Sequence, residues 1–304
     1  MYWRRSSDGA DLFVGVRKVF WGVTESVHLV DVINQTDLVE NADTEDKLGQ
    51  PMVQLTLLRD WGMVDLYLMT GFRKRTFGGG EGRLRPPLPV ADNARYEADL
   101  NRWYPEVAVR WSQILGDFDV GVAHFSGVSR EPRLTAEVGT SGPRLVPHYD
   151  LLQQTSLDVQ LTRGDWLAKL EAVHRDGVDG RSSAAVAGLE YTLFGILSTI
   201  ADLGIVAEAQ FDSREAPFSP LADNDVALGG RLTLNDVQGT AVLAFTAIDT
   251  DNGSRFTSVE ADRRLRSSGE IRLEARFFSN VDAEDPLFLL RRDDYLQVEY
   301  VHFF

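Results

Sequence analysis

Hydrophobic and polar residues alternate with a period of two along most of this chain, as in β-strands that bury one face. Segment 269–279 is an example, because aliphatic and aromatic residues there alternate with glutamates and arginines. Long stretches with the 3.6-residue period of an amphipathic helix are hard to find. The pattern predicts an all-β protein of fourteen strands, at 11–20, 52–59, 63–69, 104–113, 117–125, 150–162, 165–175, 184–196, 200–212, 224–235, 238–248, 255–266, 269–279 and 294–304.

Short and long connections alternate between these strands. The short ones are turns such as those near 60 and 164, and the long ones include 21–51, 70–103, 126–149 and 176–183. This alternation predicts a closed up-and-down antiparallel barrel, formed by a single domain over 1–304, with short turns at one end and long loops at the other. An even number of strands places both chain ends at the short-turn end, where the first and last strands can pair.

The tryptophans indicate which face of the sheet meets water. Trp61, Trp111 and Trp166 fall at predicted short turns, and Trp21 and Trp103 fall at predicted long loops. Two aromatic rings around an aliphatic band are favoured at lipid interfaces, so we expect a transmembrane barrel whose polar face lines the interior. A soluble sandwich or jelly roll also has many alternating strands, but its connection lengths follow no such alternation.

Charge and composition narrow the partners. Acidic residues outnumber basic ones by 46 to 31 among 304 residues, which argues against a nucleic-acid partner. The chain has no cysteine and therefore no disulfide or thiolate zinc site. No apolar run approaches the roughly 18 residues of a membrane-spanning helix, and the first residues lack the apolar run of a signal peptide.

The C-terminal sequence "DDYLQVEYVHFF" resembles the final strand of Gram-negative outer-membrane β-barrel proteins. Phe304 ends the chain, Tyr300 lies four residues before it, and His302 departs from the usual hydrophobic residue. The resemblance implies that Tyr300 and Phe304 form the signal read by the barrel-assembly machinery. An amphipathic strand of this kind is an adhesive edge until it pairs with the first strand.

Segment 17–52 resembles the first strand and loop of a porin-like proteobacterial outer-membrane family of unassigned function, including an Arg-x-Val-x-Trp-Gly turn at 17–22. The stretches "GFRKRTF", "FSGVSREPRL" and "LEYTLFG" fit the same family. The resemblance implies an outer-membrane location, a periplasmic segment at 1–10, and loops 21–51 and 70–103 that are extracellular or folded into the pore. It implies the lipid bilayer and lipopolysaccharide as partners, with further copies or other envelope subunits as an alternative, and no cofactor.

Strand parity places charges of both signs on the inward face. They provide either a selectivity lining or cross-strand ion pairs, and the two roles are compatible. The pore-lining candidates are Arg17, Asp65, Arg110, Asp119, Asp158, Lys169, Glu171, Glu190, Glu208, Arg231, Glu260, Asp262, Arg264, Glu270, Arg272, Glu274, Arg276 and Glu299.

The first long loop, 21–51, is both too apolar to extend into water and strongly acidic. We expect it either to tuck into the barrel mouth, where Asp31, Asp37 and Glu40 would constrict the pore and favour cations, or to fold over the rim or against a neighbouring subunit.

Other candidate chemistry is weaker. The run Asp249–Glu260 resembles a calcium loop, but Ser254 occupies the position where such a loop requires glycine, so no metal site is predicted. His124, His148 and His174 fall near long loops and would have to meet for catalysis. The sequence therefore predicts a passive pore for small polar or ionic solutes, with a plugged barrel serving as an envelope-complex subunit as the alternative and an enzyme third.

Overall fold

The computed structural model describes residues 1–39, 46–79, 85–139, 142–178, 180–214, 223–266 and 268–303. These residues form strands and three short 3-10 helices, at Asn101–Trp103, Ile196–Ser198 and Pro286–Leu290. Within the described ranges no helix is long and apolar enough to cross a membrane. The strands are β1 (Tyr2–Ser7), β2 (Ala10–Arg17), β3 (Gln35–Thr36), β4 (Lys47–Leu48), β5 (Gln50–Arg59), β6 (Gly62–Met69), β7 (Arg95–Tyr96), β8 (Glu106–Leu115), β9 (Phe118–Val128), β10 (Arg133–Gly139), β11 (Gly142–Tyr149), β12 (Leu151–Arg163), β13 (Trp166–Gly177), β14 (Gly180–Leu193), β15 (Asp202–Asp212), β16 (Asp225–Thr233), β17 (Ala241–Asp249), β18 (Arg255–Leu265), β19 (Gly269–Ser279) and β20 (Tyr295–His302).

Fifteen strands form one sheet in the order β1-β2-β5-β6-β8-β9-β12-β13-β14-β15-β16-β17-β18-β19-β20. The fourteen predicted strands all belong to it, and strand 269–279 has the predicted bounds. Two smaller sheets, β10-β11-β7 and β3-β4, lie within the long loops. The all-β class and the large antiparallel meander are therefore confirmed, because alternation over eight or more residues is a strong strand signal.

The predicted count of fourteen strands is wrong. Strand β1 precedes the first predicted strand and pairs with β2 through the turn at Asp8 and Gly9, where Gly9 has φ of 70°. Asp-Gly is a strong hairpin signal, so segment 1–10 belongs to the sheet. The sheet thus has an odd number of strands. Within the described residues β1 pairs with β2 and β20 pairs with β19, and no pairing joins the two ends of the sheet.

The connection lengths follow the expected alternation at most positions. Two-residue turns join β5 to β6, β8 to β9 and β12 to β13. The longest connections are L1 (18–49), L2 (70–105) and L3 (129–150). The long connection expected at 176–183 is wrong, because β13 continues to Gly177 and β14 begins at Gly180. Both strands are longer than the hydrophobic pattern alone indicates.

The chain divides into two compact units. Unit 1 comprises Met1–Val23, His28–Val159 and Glu171–Ala184, and unit 2 comprises Thr24–Val27, Gln160–Leu170 and the chain from Ala185 onward. In unit 1 the main hydrophobic core joins L1 residues such as Val30 and Ile33 to side chains of the sheet such as Met69 and Phe125. A second cluster, around Phe72, packs L2 against L3.

In unit 1 the charged face of the sheet is the buried one. On β8, Glu106 is fully buried, whereas Val107 and Val109 are 50% and 42% exposed. On β6, Asp65 is buried, whereas Leu68 is exposed. We call these the polar face and the apolar face. This arrangement is the reverse of that in a water-soluble sheet, where charged residues are almost always exposed.

Unit 2 shows the same reversal on β15. Glu208, Gln210 and Asp212 are buried, whereas Ile205 and Phe211 on the opposite face are more than half exposed. The antiparallel pairings β15–β16, β16–β17, β17–β18, β18–β19 and β19–β20 continue the sheet through this unit. On β6, β8 and β15 the face that the alternation predicts to be polar is the buried face.

Candidate functional site

The turn at 24–27 in L1 is bound to the polar face of unit 2. The carboxylate of Glu208 on β15 accepts hydrogen bonds from the backbone N–H groups of Glu25 and Ser26, both at 2.8 Å, and from the Ser26 hydroxyl. Gln210 donates from Nε2 to the same hydroxyl at 2.7 Å. A buried carboxylate that accepts several donors at once fixes this turn in position.

Glu25 then meets two cations. Lys169 Nζ donates to Oε1 of Glu25, and Arg231 Nη2 lies 2.7 Å from Oε2. Glu190 lies 3.9 Å from both of these cations. Burial alone raises the pKa of Glu25, but the hydrogen bonds and charges of Lys169 and Arg231 outweigh it, so the net pKa shift is downward. Glu25 therefore stays ionised and completes a network of two bases and two acids.

In unit 1 the next part of L1 is bound by Glu171 on β13. This carboxylate is fully buried and accepts the backbone N–H of Val23 at 2.7 Å and that of Val30 at 3.1 Å. His28 Nδ1 lies 3.9 Å from the same carboxylate. The two amides are seven residues apart, so one side chain holds both ends of a loop segment against the polar face.

Arg130 in L3 binds the backbone of L1. Its Nε and Nη2 donate to the carbonyl of Ile33 at 3.0 and 2.8 Å, and its Nη1 donates to Glu106 at 2.6 Å. Its guanidinium lies 5.1 Å from the ring centres of both Phe72 and Phe125. Arg130 lies in the stretch "FSGVSREPRL", outside the predicted strands, so strand parity carries no signal for its role.

The three predicted constriction carboxylates have different fates. The side chain of Asp31 is fully buried, and Lys47 Nζ lies 3.3 Å from it. Burial raises the pKa of Asp31 despite this lysine. Asp37 accepts a hydrogen bond from the Thr76 hydroxyl at 2.6 Å. Glu40 lies outside the described residues. Asp31 thus faces protein atoms, and the carboxylate of L1 that meets the polar-face network of unit 2 is Glu25.

Four further polar-face candidates of unit 1, Arg17, Asp65, Arg110 and Asp158, contact neighbouring side chains. Arg110 makes two hydrogen bonds to Asp158, at 2.5 and 2.8 Å. Gln54 accepts a hydrogen bond from Arg17 and donates one to Asp65 at 2.9 Å. Arg110 and Asp158 form a cross-strand ion pair, whereas Arg17 and Asp65 are bridged by the neutral amide of Gln54.

In unit 2 a second charged network covers β18 and β19. Arg276 is fully buried and contacts Glu260 at 2.6 Å and Glu274 at 3.7 Å. Arg272 contacts Glu270 at 2.6 Å and extends to Glu299 at 3.6 Å. Phe304 lies outside the described residues. Candidates with exposed side chains are Asp119, Asp262, Arg264, Arg272, Glu299 and Tyr300.

The expectation that Trp21 lies at a lipid interface is wrong. Trp21 is 5% exposed, its ring meets Tyr67 edge-on at 5.7 Å, and the Arg110 guanidinium lies 5.3 Å from it. L1 turns back along the polar face and carries the indole with it. Trp61, Trp103 and Trp166 are exposed, as an interface position requires.

Of the three histidines considered for catalysis, His124 and His174 contact hydroxyl groups of different residues. His124 contacts Thr155 at 3.0 Å, and His174 contacts Ser183 at 3.0 Å. Across the ranges the structure describes, the only group of three clustered metal-ligand side chains is Asp223, Asp225 and Asp249, and it contains no histidine.

No protein-family model matches the chain, and no curated protein matches it. A solved structure described as "Structure of porin refined at 1.8 angstroms resolution" is similar, with a TM-score of 0.46 and 13% sequence identity over 97% of this chain and 92% of that one. A TM-score below 0.5 does not establish a shared fold.

Proposed function

We propose that the chain is a transmembrane β-barrel of the bacterial outer membrane that forms a pore for small polar or ionic solutes. The observation that carries this proposal is the reversed burial of the sheet, with aliphatic residues exposed and charged residues covered. An apolar face of this length would be an aggregation surface in water, but it matches the hydrocarbon layer of a membrane. Closure of the sheet is part of the proposal, because only closed barrels leave no unpaired strand edge in lipid.

L1 is the proposed constriction. Its turn at 24–27 is held by Glu208 and by the Glu25 network, both on the face that would line the lumen. Charged groups at the narrowest part of a passage select ions by sign. The pore-lining candidates comprise seven basic and eleven acidic residues, and the chain carries a net charge of -15. We therefore propose a preference for cations.

A plugged barrel is the second candidate function. Val30, Ile33 and Asn34 of L1 are fully buried, and Arg130 holds the same segment through the Ile33 carbonyl. A loop packed this tightly supports a closed barrel that serves as a subunit of an envelope complex. In either case the proposed partners are membrane lipid, lipopolysaccharide and the barrel-assembly machinery. Both proposals allow the chain to assemble with further copies of itself. Neither proposal assigns a catalytic residue.

Adjacent positions on β15 test the membrane assignment. Ile205 is 51% exposed on the apolar face, and Val206 is 6% exposed on the polar face. Because the chain has no cysteine, Ile205→Cys and Val206→Cys each give a single site for a spin label. In reconstituted vesicles we expect the label at 205 to be reached by oxygen, which partitions into lipid, and shielded from a water-soluble nickel chelate. The label at 206 should not show this combination of high oxygen accessibility and low accessibility to the nickel chelate. Equal accessibility, or the reverse order, would exclude the proposed orientation.

A further inference from the structure

A cavity with a basic lining lies at the short-turn end of unit 2, where β18 turns into β19. It has a volume of about 510 Å³, and the side chains of Arg263, Arg264 and Arg266 line it. Gln238, from the turn between β16 and β17, and Ser268 add neutral polar groups, and none of the described lining residues is acidic. We call it the basic cavity. In a chain with 46 acidic and 31 basic residues, this concentration of positive charge indicates a site for an anion.

Two of these arginines have no acidic partner within the described residues. Arg264 and Arg266 are exposed, and neither forms an ion pair there. Glu270 is paired with Arg264 across the strands, but its carboxylate accepts a hydrogen bond from Arg272 Nε at 2.6 Å. The guanidinium groups of Arg264 and Arg266 therefore have donors available for an anion from outside the chain.

The backbone around these arginines is held in a fixed and costly shape. The Arg264 N–H donates to the carbonyl of Gln238 at 3.1 Å, which ties the end of β18 to the neighbouring turn. Arg266 has φ of 58°, in the left-handed region that favours glycine over residues with a side chain. Strain of this kind is common where a side chain serves a site, and the Arg266 side chain lines the basic cavity.

An apolar stripe runs from the basic cavity along β20. Tyr300 lines the cavity, and Tyr300, Val298 and Leu296 are 59%, 64% and 65% exposed on the apolar face. Ile271 on β19 is paired with Tyr300 and is exposed as well. At ~3.4 Å per residue the stripe spans about 14 Å, close to the ~15 Å of one leaflet of a hydrocarbon core. An anionic group at the end of hydrocarbon chains of this length is the chemistry of a phospholipid.

We propose that the basic cavity binds the phosphate group of an anionic phospholipid whose acyl chains lie along the apolar stripe. Arginine binds phosphate through paired N–H donors, and the hydroxyl groups of Ser268 and Tyr300 supply further donors. Basic pockets at a membrane surface bind anionic head groups by the same chemistry. The apolar stripe favours a lipid over free phosphate and over an acidic peptide, because neither of these would cover it. The proposal rests on the proposed membrane location of the sheet, and not on whether the barrel conducts.

Native mass spectrometry of the intact protein in detergent tests the site, because it counts bound lipid during a titration. We expect phosphatidylglycerol to bind more tightly than phosphatidylcholine, since only phosphatidylglycerol carries a net negative charge. Arg264→Gln/Arg266→Gln should weaken phosphatidylglycerol binding at least tenfold and leave phosphatidylcholine binding unchanged. Arg255→Gln/Arg292→Gln is the matched control, because it removes two exposed arginines at the long-loop end of the same strands. The control should bind phosphatidylglycerol as the wild type does.

Equal affinity of the wild type for the two lipids would overturn the site, and so would equal phosphatidylglycerol affinity in the wild type and in Arg264→Gln/Arg266→Gln. Inorganic phosphate and a polyglutamate peptide are the probes for the two other sources of negative charge. If either probe binds the wild type as tightly as phosphatidylglycerol does, the ligand is not a lipid and the proposal is wrong.

Arg266→Gly separates lipid binding from folding. Glycine is favoured at this φ, so the variant should unfold at no lower temperature than the wild type while binding phosphatidylglycerol more weakly. Unchanged lipid affinity in this variant would equally contradict the proposal. The spin labels at 205 and 206 distinguish that failure from failure of the membrane assignment. A lipid-facing label at 205 combined with unchanged lipid affinity would refute the basic cavity alone.

Discussion

Replacing Glu208 with glutamine should release the L1 turn from the polar face. The carboxylate accepts two backbone N–H groups at 2.8 Å and one hydroxyl. Hydrogen bonds to a charged group contribute about 1.5–3 kcal/mol each. Glutamine keeps one acceptor oxygen and turns an amide donor towards the second N–H, which would be left unsatisfied at a cost of about 1–3 kcal/mol. We therefore expect Glu208→Gln to weaken docking of the turn by about 2–4 kcal/mol.

The loss can be measured as a labelling rate. Val27→Cys places a single thiol in the turn of a chain that has no other cysteine. If labelling by a membrane-impermeant reagent requires the turn to undock, a loss of 2 kcal/mol raises its rate about thirtyfold. Glu299→Gln is the control, because Glu299 is exposed on β20 and contacts Arg272, far along the chain from L1. Equal labelling rates in the Glu208→Gln and control backgrounds would refute the role assigned to this carboxylate.

Three further outcomes follow from the faces and the charges. Leu228→Arg, on the apolar face, should lower the free energy of unfolding in detergent or lipid by about 2–4 kcal/mol, whereas Thr233→Arg, on the polar face, should cost much less; equal penalties would mean that the parity is wrong. Because the docked-state pKa of Asp31 is raised, docking should strengthen as pH falls towards the ordinary carboxyl range, and Asp31→Asn should remove that trend in the labelling assay. The pKa of Glu25 is lowered when the turn is docked, so the stabilisation that Glu25 gives to docking is complete above its ordinary pKa. That stabilisation is lost as pH falls through the lowered pKa, so Glu25→Gln should abolish any acid-induced rise in labelling at Val27→Cys.

Much of the fold could be predicted from the sequence, because the alternation of apolar and polar residues within a long strand is visible in that segment alone. Segment 269–279 alternates without interruption and forms β19 with those bounds. Strand β1 was missed because its residues, Tyr2–Ser7, are aromatic and polar with no apolar stripe, and its signal is the Asp-Gly turn that follows. The two-residue strand β7 of L2 was missed because it pairs only with β11 of L3, so it depends on packing of one loop against the other. The hairpin β10–β11 lies wholly within L3, in a segment that the sequence prediction assigned to a loop.

The site is less predictable because its contacts are distant in sequence. Parity alone places Glu171, Glu208 and Lys169 on the polar face. Their partners in L1 are 141 to 183 residues away, and no local pattern pairs Glu208 with the backbone of Glu25. Trp21 was assigned to an interface because tryptophan is common there, but L1 brings it onto the polar face, where the Arg110 guanidinium lies over its ring.

Single-channel recording in planar bilayers, on the wild type and on a variant lacking 24–46, tests the central claim most directly. An open pore narrowed by L1 predicts steady current steps in the wild type, a reversal potential that indicates cation preference in a salt gradient, and larger steps after the deletion. Current steps of equal size and equal reversal potential in both proteins would place L1 outside the conducting path. The absence of steps from both proteins would contradict the pore itself and favour the plugged barrel.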